Sequence, residues 1–194
     1  LMNQILIIDT GIANTASVRA SFQRLGCDVS ISHDSDHVRD AQFVVLPGVG
    51  SFGAGIDALR SFGLDQIIVE RIKANKPLLG ICLGLQLLCA SSEETPGVAG
   101  LGVIDSEVTR FPESVRTPQH GWNRVGNEYA YFSNTYRIES IPTDWTGELS
   151  MHGAPFVASL KRGTTLACQY HPELSGDFGE RVLVSWIETS MEAS

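Results

Sequence analysis

Three short apolar runs constrain this chain more than anything else in it: Ile5-Leu-Ile-Ile8, Phe43-Val-Val-Leu46 and Pro77-Leu-Leu-Gly-Ile81. A strand with one wet face alternates apolar and polar residues. A run without alternation is buried on both faces, as happens where helices cover both sides of a parallel sheet. Between these runs lie segments of helical character. Residues 15–25 carry Val18, Phe22 and Leu25 on one face, with Asn14 placed to cap the helix and Gly26 to stop it. A second helix is predicted over 63–74, and residues 28–32 read as a further strand.

Helices follow strands at a spacing that demands crossover connections, so the first half predicts a mostly parallel sheet covered on both faces. In such sheets ligands sit at the carboxyl ends of the strands. A helix is expected over 83–90. The second half changes character, with strands predicted at 102–110, 129–132, 147–151, 156–160 and 165–170. A last helix over 177–189 carries Phe178, Val182 and Trp186. The fold class is therefore α/β, a mostly parallel central sheet flanked by helices with added antiparallel strands. With 194 residues and no repeat or linker, the expectation is one domain over 1–194.

Composition narrows the function classes. A net charge of −8 without any basic run argues against nucleic acid, which needs clustered Lys and Arg. No apolar stretch approaches the roughly 18–20 residues of a membrane span, and the first apolar run is too short, and lacks the basic leader, for a signal peptide. Cys27, Cys82, Cys89 and Cys168 are scattered without a Cys-x-x-Cys pair. That pattern suits reduced thiols in a cytoplasmic protein. Taken singly, each is a small buried hydrophobe.

Cys82 stands apart. In Pro77-Leu-Leu-Gly80-Ile-Cys82-Leu-Gly84-Leu-Gln86 it lies between two glycines, after a buried strand and before a helix. That is the context of a nucleophile elbow, whose sharp turn leaves no room for neighbouring side chains. Helix N–H groups beside the sulfur favour the thiolate over a thiol of pKa about 8.5, and the Leu83 N–H faces a developing oxyanion. Cys89, expected on the same helix, reads as core, as do Cys27 and Cys168.

A thiolate nucleophile needs a base and an orienter for that base. His33 and His37 fall in a polar loop with Asp34 and Asp36, and His120 and His152 are ambiguous. His171 ends a β-rich run in Gln169-Tyr-His171-Pro-Glu173. Two-residue spacing on extended chain, held by Pro172, puts His171 and Glu173 on one face. Metal-ligand spacings such as His-x-x-x-His are missing, so no metal site is expected. Leu46-Pro47-Gly48-Val49-Gly50-Ser51-Phe52-Gly53 forms a second glycine-rich loop. It reads as a donor of backbone N–H groups to an oxyanion; the phosphate-loop spacing is incomplete, and a plain tight turn is the simpler alternative.

These residues converge on a known pattern. Gly80-Ile-Cys82-Leu-Gly84-Leu-Gln86 with Tyr170-His171-Pro-Glu173 resembles the class I (triad) glutamine amidotransferases, whose fold is flavodoxin-like. Pro47-Gly48-Val49-Gly50-Ser51-Phe52-Gly53, Gly121-Trp122-Asn123 and Tyr131-Phe132-Ser-Asn-Thr135-Tyr136 narrow the likeness to the HisH-type glutaminase subunit of imidazole glycerol phosphate synthase. The resemblance implies hydrolysis of L-glutamine through a Cys82 thioester, with His171 moving protons and Glu173 orienting it. It also implies oxyanion donors at Leu83 and the Val49-Gly50 peptide, and substrate contacts at Gly50, Gln86, Thr135 and Tyr136. No cofactor is implied. The implied partner is a (β/α)8 cyclase subunit that receives the ammonia, docked near Gly121-Trp122-Asn123.

The chain departs from the family pattern at Thr10-Gly11-Ile12-Ala13, at Gln119-His120 and at Asn134. The first two lie where partner contacts are expected, which leaves open a paralogue serving another synthase. A catalytically silent module and a cysteine peptidase or esterase on the same sheet are the remaining alternatives.

Overall fold

The computed structural model describes residues 3–11 and 13–193; Ile12, within the first departing segment, lies outside them. The chain opens with β1 (Gln4–Ile8), α1 (Thr15–Arg24), β2 (Asp28–Ser32), α2 (Ser35–Asp40) and β3 (Phe43–Gly48). Next come α3 (Phe52–Ser61), α4 (Leu64–Lys73), β4 (Leu78–Cys82), α5 (Leu83–Leu87), β5 (Cys89–Ser92) and β6 (Ile104–Arg110). They are followed by β7 (Gln119–Val125), β8 (Glu128–Asn134), β9 (Tyr136–Arg137), β10 (Thr146–His152), β11 (Ala154–Arg162) and β12 (Thr165–Cys168). A 3₁₀ turn (Pro172–Leu174) and α6 (Gly176–Glu192) close the chain.

The main sheet has seven strands in the order β10-β11-β12-β4-β3-β1-β2. Its β12-β4-β3-β1-β2 part is parallel throughout, while β10, β11 and β12 pair antiparallel. Read from the other edge, the parallel part has the flavodoxin-like strand order. The fold class expected from the apolar runs is the one observed. The mechanism is visible in β1: Ile5 and Ile7 enter the core on the side of α1 and α6, with Phe22, Trp186 and Ile187. Leu6 and Ile8 enter the opposite core, with Ile56, Leu59 and Ile68 of α3 and α4.

Several local expectations are corrected. Asn14 precedes α1 but makes no capping bond; its Nδ2 donates to Ser17 Oγ at 3.3 Å instead. The polar stretch holding His37 is not a loop but α2, because Asp34 accepts from the N–H groups of Asp36 and His37 and nucleates a turn. The glycine-rich segment ends sooner than expected. Ser51 caps α3, so Phe52 and Gly53 are its first turn. The helix after Cys82 stops at Leu87, and Cys89, although buried, begins β5. β7 has little apolar character and was not expected. Pro172 does not hold extended chain: residues 172–174 turn as a 3₁₀ helix.

A buried cation joins two of these elements. Arg71 of α4 is 2% exposed and donates to the carbonyls of Val38, Arg39, Ala41 and Pro77. Burial lowers its pKa to about 10, opposed by the charge of Asp40. It closes the end of α2 against the start of β4. No helix among the described residues is long and apolar enough to cross a membrane.

Candidate active site

Strands β3, β4 and β12 are neighbours, and their carboxyl ends are level: Gly48 pairs with Cys82, and Ile81 with Cys168. Three segments far apart in sequence therefore emerge side by side. They are the Val49-Gly50 turn after β3, the Cys82 elbow after β4 and the His171 segment after β12. The β8 end and the 134–136 segment lean over them. Between these pieces lies a cleft of about 210 Å³ whose walls include Val49, Gly50, Cys82, Leu83, Gln86 and His171.

The elbow is strained. Cys82 has φ 54° and ψ −109°, a conformation L-residues rarely adopt. What permits the turn is the closeness of its neighbours. A Cβ on Gly84 would lie 1.9 Å from the Leu46 carbonyl oxygen, and one on Gly48 would lie 2.8 Å from Leu83 Cβ. The glycines thus let the end of β3 press against α5. As the first residue of α5, Leu83 has an N–H without a partner inside the helix.

His171 is 8% exposed and stands beside the sulfur. Its Nδ1 lies 2.9 Å from Glu173 Oε1, and the Glu173 side chain is 4% exposed. The 3₁₀ turn brings these side chains together, replacing the extended geometry expected. Burial disfavours the imidazolium, but hydrogen bonds and charge from Cys82 and Glu173 outweigh it and raise the His171 pKa to about 10. The proton therefore rests on histidine when the sulfur is a thiolate. Burial raises the thiol pKa of Cys27, of Cys89 and, to about 12, of Cys168, which keeps all three neutral.

All the residues expected at the site are brought to this one cleft: Val49, Gly50, Leu83, Gln86, Thr135 and Tyr136 line it with Cys82 and His171, and Glu173 stands behind His171. Gly50 has φ 96°, which glycine alone accepts without strain. The donors at Phe52 and Gly53 are taken by Glu94 Oε2 at 2.6 Å and Thr95 Oγ1 at 3.1 Å. Gln86 donates through Nε2 to the Tyr136 carbonyl and to Gln169 Oε1, which ties the elbow helix to the far wall.

Sequence reasoning missed Glu94, Pro118 and Ser133 in the cleft wall, and Gln169 beneath it. Glu94, Pro118 and Ser133 carry no spacing signal. Gln169 does carry one, because a glutamine directly after a buried strand is a buried polar residue in want of a partner. Two departing positions also meet: Gln119 Nε2 donates to Asn134 Oδ1 at 3.1 Å, and Asn134 Nδ2 to the Tyr136 carbonyl at 2.9 Å. His120 bonds Ser133 and Tyr131 on the β7–β8 hairpin, and His152 bonds the Arg116 carbonyl. Neither lines the cleft. Among the described residues no cluster of His, Cys, Asp and Glu could hold a metal.

Comparison with known proteins gives the family. Residues 6–186 match the family glutamine amidotransferase class-I. The chain is 37% identical to the imidazole glycerol phosphate synthase subunit HisH of Symbiobacterium thermophilum, over 95% of this chain and 93% of that protein. It is also 37% identical to the HisH subunit of Moorella thermoacetica, covering 96% and 95%. The chloroplastic imidazole glycerol phosphate synthase hisHF of Arabidopsis thaliana is 36% identical over 98% of this chain, which spans 35% of the plant protein. A crystal structure of glutamine amidotransferase superposes with a TM-score of 0.79 at 18% identity, covering 96% of this chain and 98% of that one. PurLQS from Thermotoga maritima gives 0.75 at 17%, covering 97% and 99%. Those two likenesses are of fold alone. The match over nearly the whole length settles the family: the chain is a class-I glutamine amidotransferase and belongs to the HisH family of imidazole glycerol phosphate synthase subunits.

Proposed function

We propose that this chain, folded as one glutaminase domain, is the ammonia-producing subunit of an imidazole glycerol phosphate synthase, with Cys82, His171 and Glu173 as its catalytic triad. Cys82 Sγ attacks the side-chain amide carbon of L-glutamine. The C–N bond breaks, His171 gives its proton to the departing ammonia, and a thioester remains. Water then attacks the thioester, with His171 accepting its proton, and glutamate leaves with the thiolate restored. Glu173 holds the Nδ1 proton of His171, so that Nε2 faces the sulfur. The oxyanion of each tetrahedral intermediate is held by the Leu83 N–H and the Val49-Gly50 peptide, while Gly50, Gln86, Thr135 and Tyr136 bind the substrate.

One observation carries the reading. Cys82, with its strained backbone, meets His171 and Glu173 at a small cleft in a chain whose near-full-length relatives are HisH subunits. The partner half rests on the plant hisHF protein, in which the matched part is about a third of a longer chain. It rests also on the exposed apolar residues of the hairpin and its neighbour: Trp122 at 58%, Tyr129, Leu149 and Met151. A (β/α)8 cyclase docked there would receive the ammonia.

The test is glutaminase turnover with and without a cyclase subunit loaded with its nucleotide ligand. Strong stimulation is expected. Turnover indifferent to the cyclase would refute the partner, and glutaminase activity surviving in Cys82→Ala would refute the triad.

A further inference from the structure

Beneath the cleft, the Cys82 sulfur meets a side chain with no part in the mechanism above. Gln169 directly follows β12, is 0% exposed, and its Nε2 lies 3.8 Å from Cys82 Sγ. Which end of this amide faces the sulfur follows from its partners. The Tyr136 carbonyl can only accept, so Gln86 must turn its NH₂ toward it, at 3.1 Å. The second N–H of that group meets Gln169 Oε1 at 3.0 Å. With its oxygen so engaged, Gln169 has only N–H to offer the sulfur. Asn134 strengthens the anchor by donating to the same Tyr136 carbonyl.

A neutral thiol has little use for such a donor. It has an acceptor of its own in the Ser133 carbonyl, 3.7 Å from the sulfur. A thiolate, by contrast, accepts strongly, and an N–H held in a buried site costs nothing to reorganise when the charge forms. We infer that Gln169 is a further catalytic residue of this site, an N–H donor that stabilises the Cys82 thiolate, with Gln86 and the Tyr136 carbonyl fixing its orientation. Charge around the sulfur comes otherwise from His171, with Glu173 behind it, and from Glu94 in the cleft wall. Gln169 is the neutral member of this set.

The inference rests on Cys82 being the nucleophile, and it is tested without turnover. The rate of Cys82 alkylation by iodoacetamide is followed against pH in the full chain. Gln169→Met keeps the volume and removes the donor. Loss of a charge-assisted hydrogen bond should move the alkylation midpoint up by about one pH unit, leaving about tenfold less thiolate below it. An unmoved midpoint in a folded variant would overturn the inference. Should Gln169→Met fail to fold, the wild-type chain still decides. The side-chain amide proton of Gln169, followed by NMR, should shift downfield as the thiolate forms and stay still in Cys82→Ser. An amide signal indifferent to thiolate formation would overturn the inference equally. A chain without glutaminase activity would still alkylate at Cys82, so failure of the proposed function and failure of this donor are separable.

Discussion

Replacing Glu173 with glutamine changes one atom and should remove most of the chemistry. In the native site His171 Nδ1 lies 2.9 Å from Glu173 Oε1, both side chains are almost fully buried, and the carboxylate can only accept. Nδ1 therefore carries a proton, and in the proposed mechanism Nε2 is the nitrogen that exchanges one with sulfur and substrate. The amide of Glu173→Gln can turn its NH₂ to Nδ1, which stabilises the opposite tautomer and leaves Nε2 protonated in the neutral ring. A wrong tautomer in an acyl-transfer triad costs on the order of 10⁴ in kcat, or about 5 kcal/mol of barrier. KM should change little, since Glu173 stands behind His171 and outside the cleft wall. The substitution also removes one of the groups that raise the His171 pKa to about 10. A raised histidine pKa holds the imidazolium through neutral pH and gives it up as pH rises through the folded value. Without the Glu173 charge that loss must come at lower pH. The assay is steady-state glutaminase kinetics against pH, with the activating partner present. A kcat within tenfold of wild type, or a histidine titration that does not move down, would refute the orienting role.

Three further outcomes follow from the same geometry. Cys82→Gly should abolish glutamine-dependent turnover yet stabilise the fold by about 1 kcal/mol, since glycine tolerates φ 54° where cysteine is strained; thermal unfolding should show a Tm higher by about 2–4 °C. Gly84→Ala should do the reverse, destabilising the chain by about 3 kcal/mol or more in urea unfolding, because its Cβ meets the Leu46 carbonyl at 1.9 Å. Trp122→Ala should leave the Tm of the free chain unchanged but weaken cyclase binding by about 2 kcal/mol or more in calorimetry, the behaviour of an exposed aromatic anchor.

What the sequence made legible, and what it hid, divides by the range of the forces involved. Unalternated runs such as Phe43–Leu46 read correctly because burial on both faces leaves a direct record in composition. The Cys82 elbow was legible because its glycines answer to a close approach, recorded residue by residue. β7 was not, because Gln119, Asn123 and their neighbours are chosen for hydrogen bonds across to β8 and to Met151 rather than for apolar period. The helical reading of Cys89 fails because the β5–β6 pairing takes over the chain there, and pairing partners leave no local signature. The His171–Glu173 contact was foreseen on the wrong backbone. Spacing of two says that side chains can meet, but whether through extended chain or a 3₁₀ turn depends on the packing of Ser175, whose hydroxyl bonds both the His171 carbonyl and the Tyr131 N–H.

The same contrast explains why Cys82 can be strained at all. A residue in Cys82's conformation would relax if its neighbours could move, at a gain of about 1–3 kcal/mol. They cannot, because the strand before it is the middle strand of the seven-stranded sheet, with β3 on one side and β12 on the other. The helix after it is pressed onto the Leu46 carbonyl with no room for a single carbon. The strain is thus opposed by the stability of the whole core and does not depend on substrate or partner. Turnover, in the proposed mechanism, depends on pieces outside that frame: the exposed Val49-Gly50 turn and the residue 134–136 segment, held by a few side-chain amides. A site built this way would keep its sulfur aimed at all times while leaving the proposed oxyanion and substrate contacts to the parts of the fold that the proposed partner would reach.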